Sequence, residues 1–147
     1  MKSFKNRKAY HNYFFLQDFE AGIVLQGTEV KSIRSGKLNF KDSFARIEEN
    51  EIWLHHMHIS VYERGSYSNH DPERKRKLLL NRREIKKIMK YTEEKGMTLV
   101  PKTVFINDKG LVKVVVSIAK GKKTYDKRDS LKEKDAIRDV QRKIKNL

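Results

Sequence analysis

Apolar and aromatic residues alternate with polar ones in short runs along most of the chain. Tyr13-Phe14-Phe15-Leu16, Phe19 and Ile23-Val24-Leu25 are rich in aromatic and β-branched residues, which predicts strands. Gly22 between them predicts a bulge or bend. Thr28 to Arg34 has Val30 and Ile33 three apart, the spacing of a short helix capped by Thr28 and closed by Gly36. Ser43 to Glu48 and Ile52 to Ile59 predict a hairpin around Glu49-Asn50-Glu51. Its second strand is expected to carry Trp53, His55, Met57 and Ile59 on one face, with His56 and His58 on the other.

Residues 63–77 are polar, contain Gly65 and Pro72, and predict a long loop. Asn81 followed by Glu84 predicts a capping box, with Ile85, Ile88 and Met89 on the buried side of the helix and Gly96 at its end. Two more strands are expected over Leu99–Ile106 and Leu111–Ala119, joined by a turn at Asn107-Asp108-Lys109-Gly110. Val112, Val114, Val116 and Ile118 alternate, so one face of the last strand is buried.

About six short strands with interspersed helices predict a mainly β protein with flanking helices. The expected form is an OB-like closed antiparallel β-barrel with a basic C-terminal tail. The expected organisation is a flexible basic arm over 1–11, the barrel with its helices over 12–120, and the tail over 121–147. In the tail Ser130 and Glu133 form a second capping box. Ile137, Val140, Ile144 and Leu147 make one helical stripe, and Lys134, Arg138, Arg142 and Lys145 another. The apolar stripe is thin and an isolated helix of this length is marginal in water, so the tail is expected to be disordered or frayed when free and helical when bound.

Charge narrows the class of partner. Lys and Arg number 34 against 19 Asp and Glu, a formal charge of +15. Such an excess attracts polyanions: nucleic acid, anionic membrane or acidic protein. The bases cluster. Nine lie between Arg74 and Lys90 against Glu84 alone, and eleven lie from Lys120 onward against five acids. Tyr10, Tyr13, Tyr67, Tyr91 and Tyr125 interleave with them, a pattern suited to stacking on unpaired bases.

Other chemistry finds less to stand on. There is no Cys, so disulfides and thiolate metal sites are excluded, in keeping with a reducing cytoplasm. The apolar stretch near the N-terminus is too short and interrupted for a signal peptide, and no run approaches a transmembrane span. The histidines (His11, His55, His56, His58, His70) lack a ligand pattern for a metal. No nucleophile elbow, zincin motif or phosphate-cradling glycine loop is present. No catalytic residue, metal or cofactor is expected. The rival readings are a general OB-fold or ribosomal RNA-binding protein, and an RNA-modifying or RNA-cleaving enzyme, which would need an acid/base constellation that the sequence does not mark.

A set of collinear motifs goes further. These are Asn6-Arg7-Lys8-Ala9, Phe19-Glu20-Ala21-Gly22-Ile23-Val24-Leu25, Gly27-Thr28-Glu29-Val30-Lys31-Ser32-Ile33-Arg34-Ser35-Gly36-Lys37 and Asp42-Ser43-Phe44-Ala45-Arg46. Met57-His58-Ile59, Asn69-His70-Asp71-Pro72, Arg76-Lys77-Leu78-Leu79-Leu80, Arg83-Glu84-Ile85, and Ala119-Lys120-Gly121-Lys122-Lys123 with Asp126-Lys127-Arg128 continue the series. Together they resemble the SsrA-binding protein (small protein B) family of bacteria.

The resemblance implies binding of transfer-messenger RNA and rescue of stalled ribosomes by trans-translation. It implies that the barrel holds the elbow of the tRNA-like domain and that the tail occupies the ribosome's decoding centre and message channel. Elongation factor Tu would join through the aminoacylated RNA. The residues matching the family's RNA contacts are Glu20, Leu79, Asn81, Lys113, Lys120, Lys122 and Lys123, and those matching its ribosome-acting tail are Asp126, Lys127 and Arg128, with Tyr125 beside them. A cytoplasmic monomer is expected.

Overall fold

A computed structural model of the 147-residue chain describes residues 2–63, 69–122 and 127–146, and the side chains of the final helix from 134 to 146. The strands are β1 (Ser3–Lys5), β2 (Tyr13–Ile23), β3 (Leu38–Asn39), β4 (Phe44–Glu48), β5 (Glu51–His55), β6 (His58–Ile59), β7 (Arg76–Leu79), β8 (Thr98–Ile106) and β9 (Val112–Gly121). The helices are α1 (Arg7–Asn12), α2 (Gly27–Arg34), α3 (Arg82–Met89) and α4 (Lys127–Lys145); one π-helical turn, Lys90–Glu94, extends α3.

Six strands close into an antiparallel ring in the order β8-β4-β5-β7-β2-β9 and back to β8. β1 lies outside it along β8, and β3 pairs with β6 as a small separate ribbon. The expected mainly β, OB-like architecture is therefore present as a closed ring with flanking helices.

The alternation along β9 explains the interior. Val114, Val116 and Ile118 are fully buried, as are Ala21, Ile52, Leu54, Leu78 and Val104 from the strands around them. Ile33 of α2 and Ile88 of α3 are buried in the same core. Each aliphatic side chain removed from water contributes about 1.5–3 kcal/mol before entropy is counted. A second apolar cluster, Ala9, Val100 and Ala119 with Tyr13 and Phe15 against it, fastens α1 to the sheet.

Several expectations are revised. The N-terminal segment is not a flexible arm: β1 pairs with Thr103–Phe105, and Asn6 ties α1 to β8 through its amide bond to the Lys102 carbonyl at 2.8 Å and its side-chain bond to the Pro101 carbonyl at 2.8 Å. The irregularity in β2 falls at Leu16, where register shifts between Phe15 and Gln17; Gly22 stays in register. α2 begins one residue early, with Gln26 as its cap, because the Glu29 carboxylate accepts from the Gln26 amide at 2.8 Å. The Thr28 hydroxyl instead meets His70 Nδ1 at 2.8 Å.

The second hairpin strand is shorter than its pattern implied. His56 takes a left-handed φ of 67° and breaks the alternation. Met57 and Ile59 thus join Ile52 and Leu54 in the core, while Trp53 and His55 stay half-buried outside. The turn itself has positive φ at both Glu49 (52°) and Asn50 (65°), the two-residue geometry that suits strand twist.

The tail also differs. α4 lies against β2, with Ile137 and Ile144 buried and Gln141 Nε2 donating to the Phe15 carbonyl at 2.7 Å. The thin apolar stripe suffices because it meets an already formed ring. The basic stripe of Lys134, Arg138, Arg142 and Lys145 is exposed.

Candidate nucleic-acid interface

A cation already held by a carboxylate is a poor phosphate ligand, because the acid must be displaced. The first basic cluster divides on that criterion. Arg74 and Arg76 both grip Glu29, at 2.5 Å and 2.6 Å, and Arg76 and Glu29 are fully buried. Lys75 pairs with Glu48 at 2.7 Å, and Lys77 lies 3.9 Å from Glu51. Arg74 and Arg76 are therefore structural, while Lys75 and Lys77 are engaged only in solvent-exposed pairs. In the second half of the cluster the Arg82 guanidinium reaches only the Asn50 carbonyl, at 3.2 Å. Arg83, Lys86, Lys87 and Lys90 have no partner among the described residues.

Burial alone would raise the pKa of Glu29. The hydrogen bond from Arg74, the Gln26 amide and the charge of Arg76 outweigh it and hold the carboxyl below the ordinary range. Glu48 falls to about 2 through the hydrogen bonds of Lys75 and Arg46. Both acids are ionised and committed at neutral pH.

Glu20, Leu79 and Lys113 come together on the outside of the ring. On β2, Gly22 sits directly opposite Leu79 of β7 on one side and Lys113 of β9 on the other. Partners across a ladder share a face, and so do residues two apart on a strand. Glu20, Gly22, Leu79 and Lys113 therefore form one outer patch, while Ala21, Leu78, Val112 and Val114 point inward and are buried. Gly22 allows a close approach there: a Cβ at this position would lie 3.3 Å from the Leu79 Cβ and press it aside by a few tenths of an ångström. The Glu20 carboxylate and the Lys113 ammonium have no partner among the described residues.

Asn81 stands just beyond β7 as the cap of α3. Its Oδ1 accepts from the Glu84 amide at 2.8 Å, and the Asn81 amide in turn donates to the Glu84 carboxylate at 3.1 Å. The cap spends the side-chain oxygen and leaves the Nδ2 donors outward. Glu20 offers only acceptors. The patch thus combines an acceptor, donors, a cation and an apolar surface, a set able to read base edges and 2′-hydroxyls as well as phosphates.

The remaining expected contacts lie elsewhere. Lys120, opposite Phe14, and Lys122, which donates to the Tyr10 carbonyl at 3.3 Å, are at the far end of β2 and β9. Seven residues along a strand separate Lys113 from Lys120, about 23 Å. Lys123, Tyr125 and Asp126 fall outside the described residues; Lys127 and Arg128 open α4, and only their backbone is described.

The tyrosines separate too. Tyr91 is in the core, Tyr10 stacks edge-on with Phe15 at 4.9 Å under Lys5 and Lys102, and Tyr13 packs on the second cluster. Tyr67 lies outside the described residues. Among the described residues no group of three His, Asp or Glu is arranged to hold a metal ion. His70 is buried, bridging Thr28 and the Ile59 carbonyl, and His55 meets Glu48 at 2.8 Å.

Residues 3–146 match the sequence model of the SmpB protein family. The chain belongs to that family. It is 56% identical over 138 residues to the SsrA-binding protein of Anoxybacillus flavithermus, covering 94% of this chain and 89% of the relative. It is 53% identical over 142 residues to the SsrA-binding protein of Bacillus subtilis, covering 97% and 90%. A solved chain from "tmRNA-SmpB: a journey to the center of the bacterial ribosome" superposes with a TM-score of 0.72 at 49% identity, covering 86% of this chain and 89% of that one.

One cation escaped the sequence reading. Arg34, at the end of α2, has a guanidinium with no partner among the described residues. Isolated in sequence between Ile33 and Ser35, it belongs to no cluster. Only the fold brings it beside Lys113, in the lining of one groove.

Proposed function

We propose that this chain binds the tRNA-like domain of transfer-messenger RNA and delivers it to stalled ribosomes for trans-translation. The observation that carries the reading is the outer patch. Glu20, Leu79, Asn81 and Lys113 converge across three strands and a helix cap, with their RNA-facing groups uncommitted. The names of the relatives and of the solved complex point to the same RNA and the same machine.

In this reading Glu20 accepts hydrogen bonds from base edges or 2′-hydroxyls, Asn81 donates, and Lys113 faces phosphate. Lys120, Lys122 and Lys123 form a second, electrostatic contact farther along. Tyr125, Asp126, Lys127 and Arg128 with α4 act at the decoding centre and in the message channel. Elongation factor Tu arrives with the aminoacylated RNA, and the chain works as a non-catalytic cytoplasmic monomer. No helix among the described residues is long and apolar enough to cross a membrane.

Separable variants test the proposal. Glu20→Ala is expected to weaken binding of the tRNA-like domain by about tenfold, the cost of one lost charged hydrogen bond. Asn81→Ser keeps a capping oxygen but removes the Nδ2 donors, so it is expected to weaken binding without lowering stability. Deleting Leu131–Leu147 is expected to spare RNA binding and abolish tagging of incomplete proteins. Unchanged RNA affinity in both point variants would contradict the patch; retained tagging after truncation would contradict the tail's role.

A further inference from the structure

Beside the outer patch runs a groove of about 450 Å³ between the end of α2, the β8–β9 turn and the end of β7. We infer that it receives a single unstacked nucleobase of the bound RNA, with Arg34 and Leu111 as recognition residues for it. The inference rests on the RNA-binding reading of the patch and extends it to a defined subsite.

Of the four large apolar side chains exposed among the described residues, two line this groove: Leu79 at 51% and Leu111 at 53%. Exposed apolar surface gathered at one place marks a contact site more often than chance. Leu111 is also held rigidly. Its amide donates to Asn107 Oδ1 at 2.9 Å, and its carbonyl accepts from the Asn107 amide at 2.9 Å. The backbone that presents Leu111 is thus organised before any ligand arrives, so ordering this turn adds no cost to binding.

The charges say what the occupant is. Arg34 and Lys113 line the groove, and neither side chain has a partner among the described residues. An uncharged apolar peptide or lipid chain would use the apolar lining but neither cation, whereas an anionic ligand with a flat apolar part uses both. A nucleotide can use every one of these groups: its flat base can lie on Leu79 and Leu111, the Arg34 guanidinium can stack on it, and the Lys113 ammonium can meet its phosphate. Val30 also lines the groove. Gly22 keeps the floor low, since a methyl group there would press on Leu79 at 3.3 Å.

Equilibrium binding of the tRNA-like domain, with each unpaired loop nucleotide replaced in turn by an abasic residue, tests this directly. One abasic position is expected to weaken wild-type binding about tenfold or more, as loss of one stacked base does. The same abasic RNA should bind Leu111→Ser no more weakly than intact RNA does, because the subsite is already lost. Arg34→Lys keeps the charge but not the plane, and should behave like Leu111→Ser. Both positions are on the surface, and unchanged urea midpoints will show that the variants are folded. If no abasic position matters, or if its effect simply adds to that of Leu111→Ser, the nucleobase subsite is wrong. Glu20→Ala separates the two failures: weakened binding there with inert groove variants overturns only the subsite, whereas an inert Glu20→Ala overturns the patch beneath it as well.

Discussion

Glu29 shows how a single residue changes the meaning of its neighbours. Its carboxylate is fully buried between Arg74 and Arg76, and Arg76 also donates to the carbonyls of Met57 and Pro72. Removing one partner from such a cluster strands a buried charge. Glu29→Gln is therefore expected to destabilise the fold by about 3 kcal/mol or more, read as a lower urea midpoint; a change under about 1 kcal/mol would contradict the account. The pH dependence follows from the same groups. Glu29 and Glu48 have folded pKa values depressed below the ordinary 4.5, that of Glu48 to about 2. Their stabilisation is full above pH 4.5 and is lost as pH falls towards 2. Thermal melts should show Tm falling across that window, and a flat profile would count against these ion pairs. The sequence could not reveal the sorting of cations, because Arg74 and Arg76 find a partner 45 and 47 residues away. Local charge density made them look like phosphate ligands; long-range pairing makes them part of the core.

At the scale of elements, what was readable depended on whether one local signal was unopposed. The alternation of Val112 to Ile118 and the Asn81–Glu84 capping box needed nothing from elsewhere, and both are present. The strand expected through Ile59 failed at His56, whose left-handed backbone turns the chain so that Met57 and Ile59 enter the core. A side chain in that conformation is strained. His56→Gly is expected to raise stability by about 1 kcal/mol, measured by urea unfolding, and His56→Val to lower it. A loss of stability in His56→Gly would contradict the geometry. α4 lies against β2 with Ile137 and Ile144 buried, a contact that helix propensity alone does not reveal. Ile144→Asp is expected to undock it, with faster amide exchange over 134–146 and unchanged protection in β9. Unchanged exchange in α4 would show that the buried isoleucines do not hold it.

The whole molecule places its charge by what the acids leave over. The buried Glu29 consumes Arg74 and Arg76, and Lys75 and Lys77 sit in exposed pairs, whereas Arg34, Arg83, Lys86, Lys87, Lys90, Lys109 and Lys113 keep free side chains among the described residues. The +15 net charge thus divides into committed and uncommitted cations, and of the latter Arg34 and Lys113 line the groove beside Leu79. In the proposed function the cations supply affinity for any RNA, and the Glu20 acceptor and Asn81 donors supply selectivity for one shape. The row across β7, β2 and β9 could not be read from sequence without a relative, since its members are spread over 93 positions and meet only when the ring closes. The measurement that tests this account most directly is a binding titration of the tRNA-like domain across salt, with a plain RNA duplex as competitor. The account predicts an affinity that falls about a thousandfold between about 50 and 200 mM salt, as about six phosphate contacts require, and that a matched excess of duplex leaves nearly intact. Affinity indifferent to salt, or duplex that displaces the tRNA-like domain mole for mole, would contradict it.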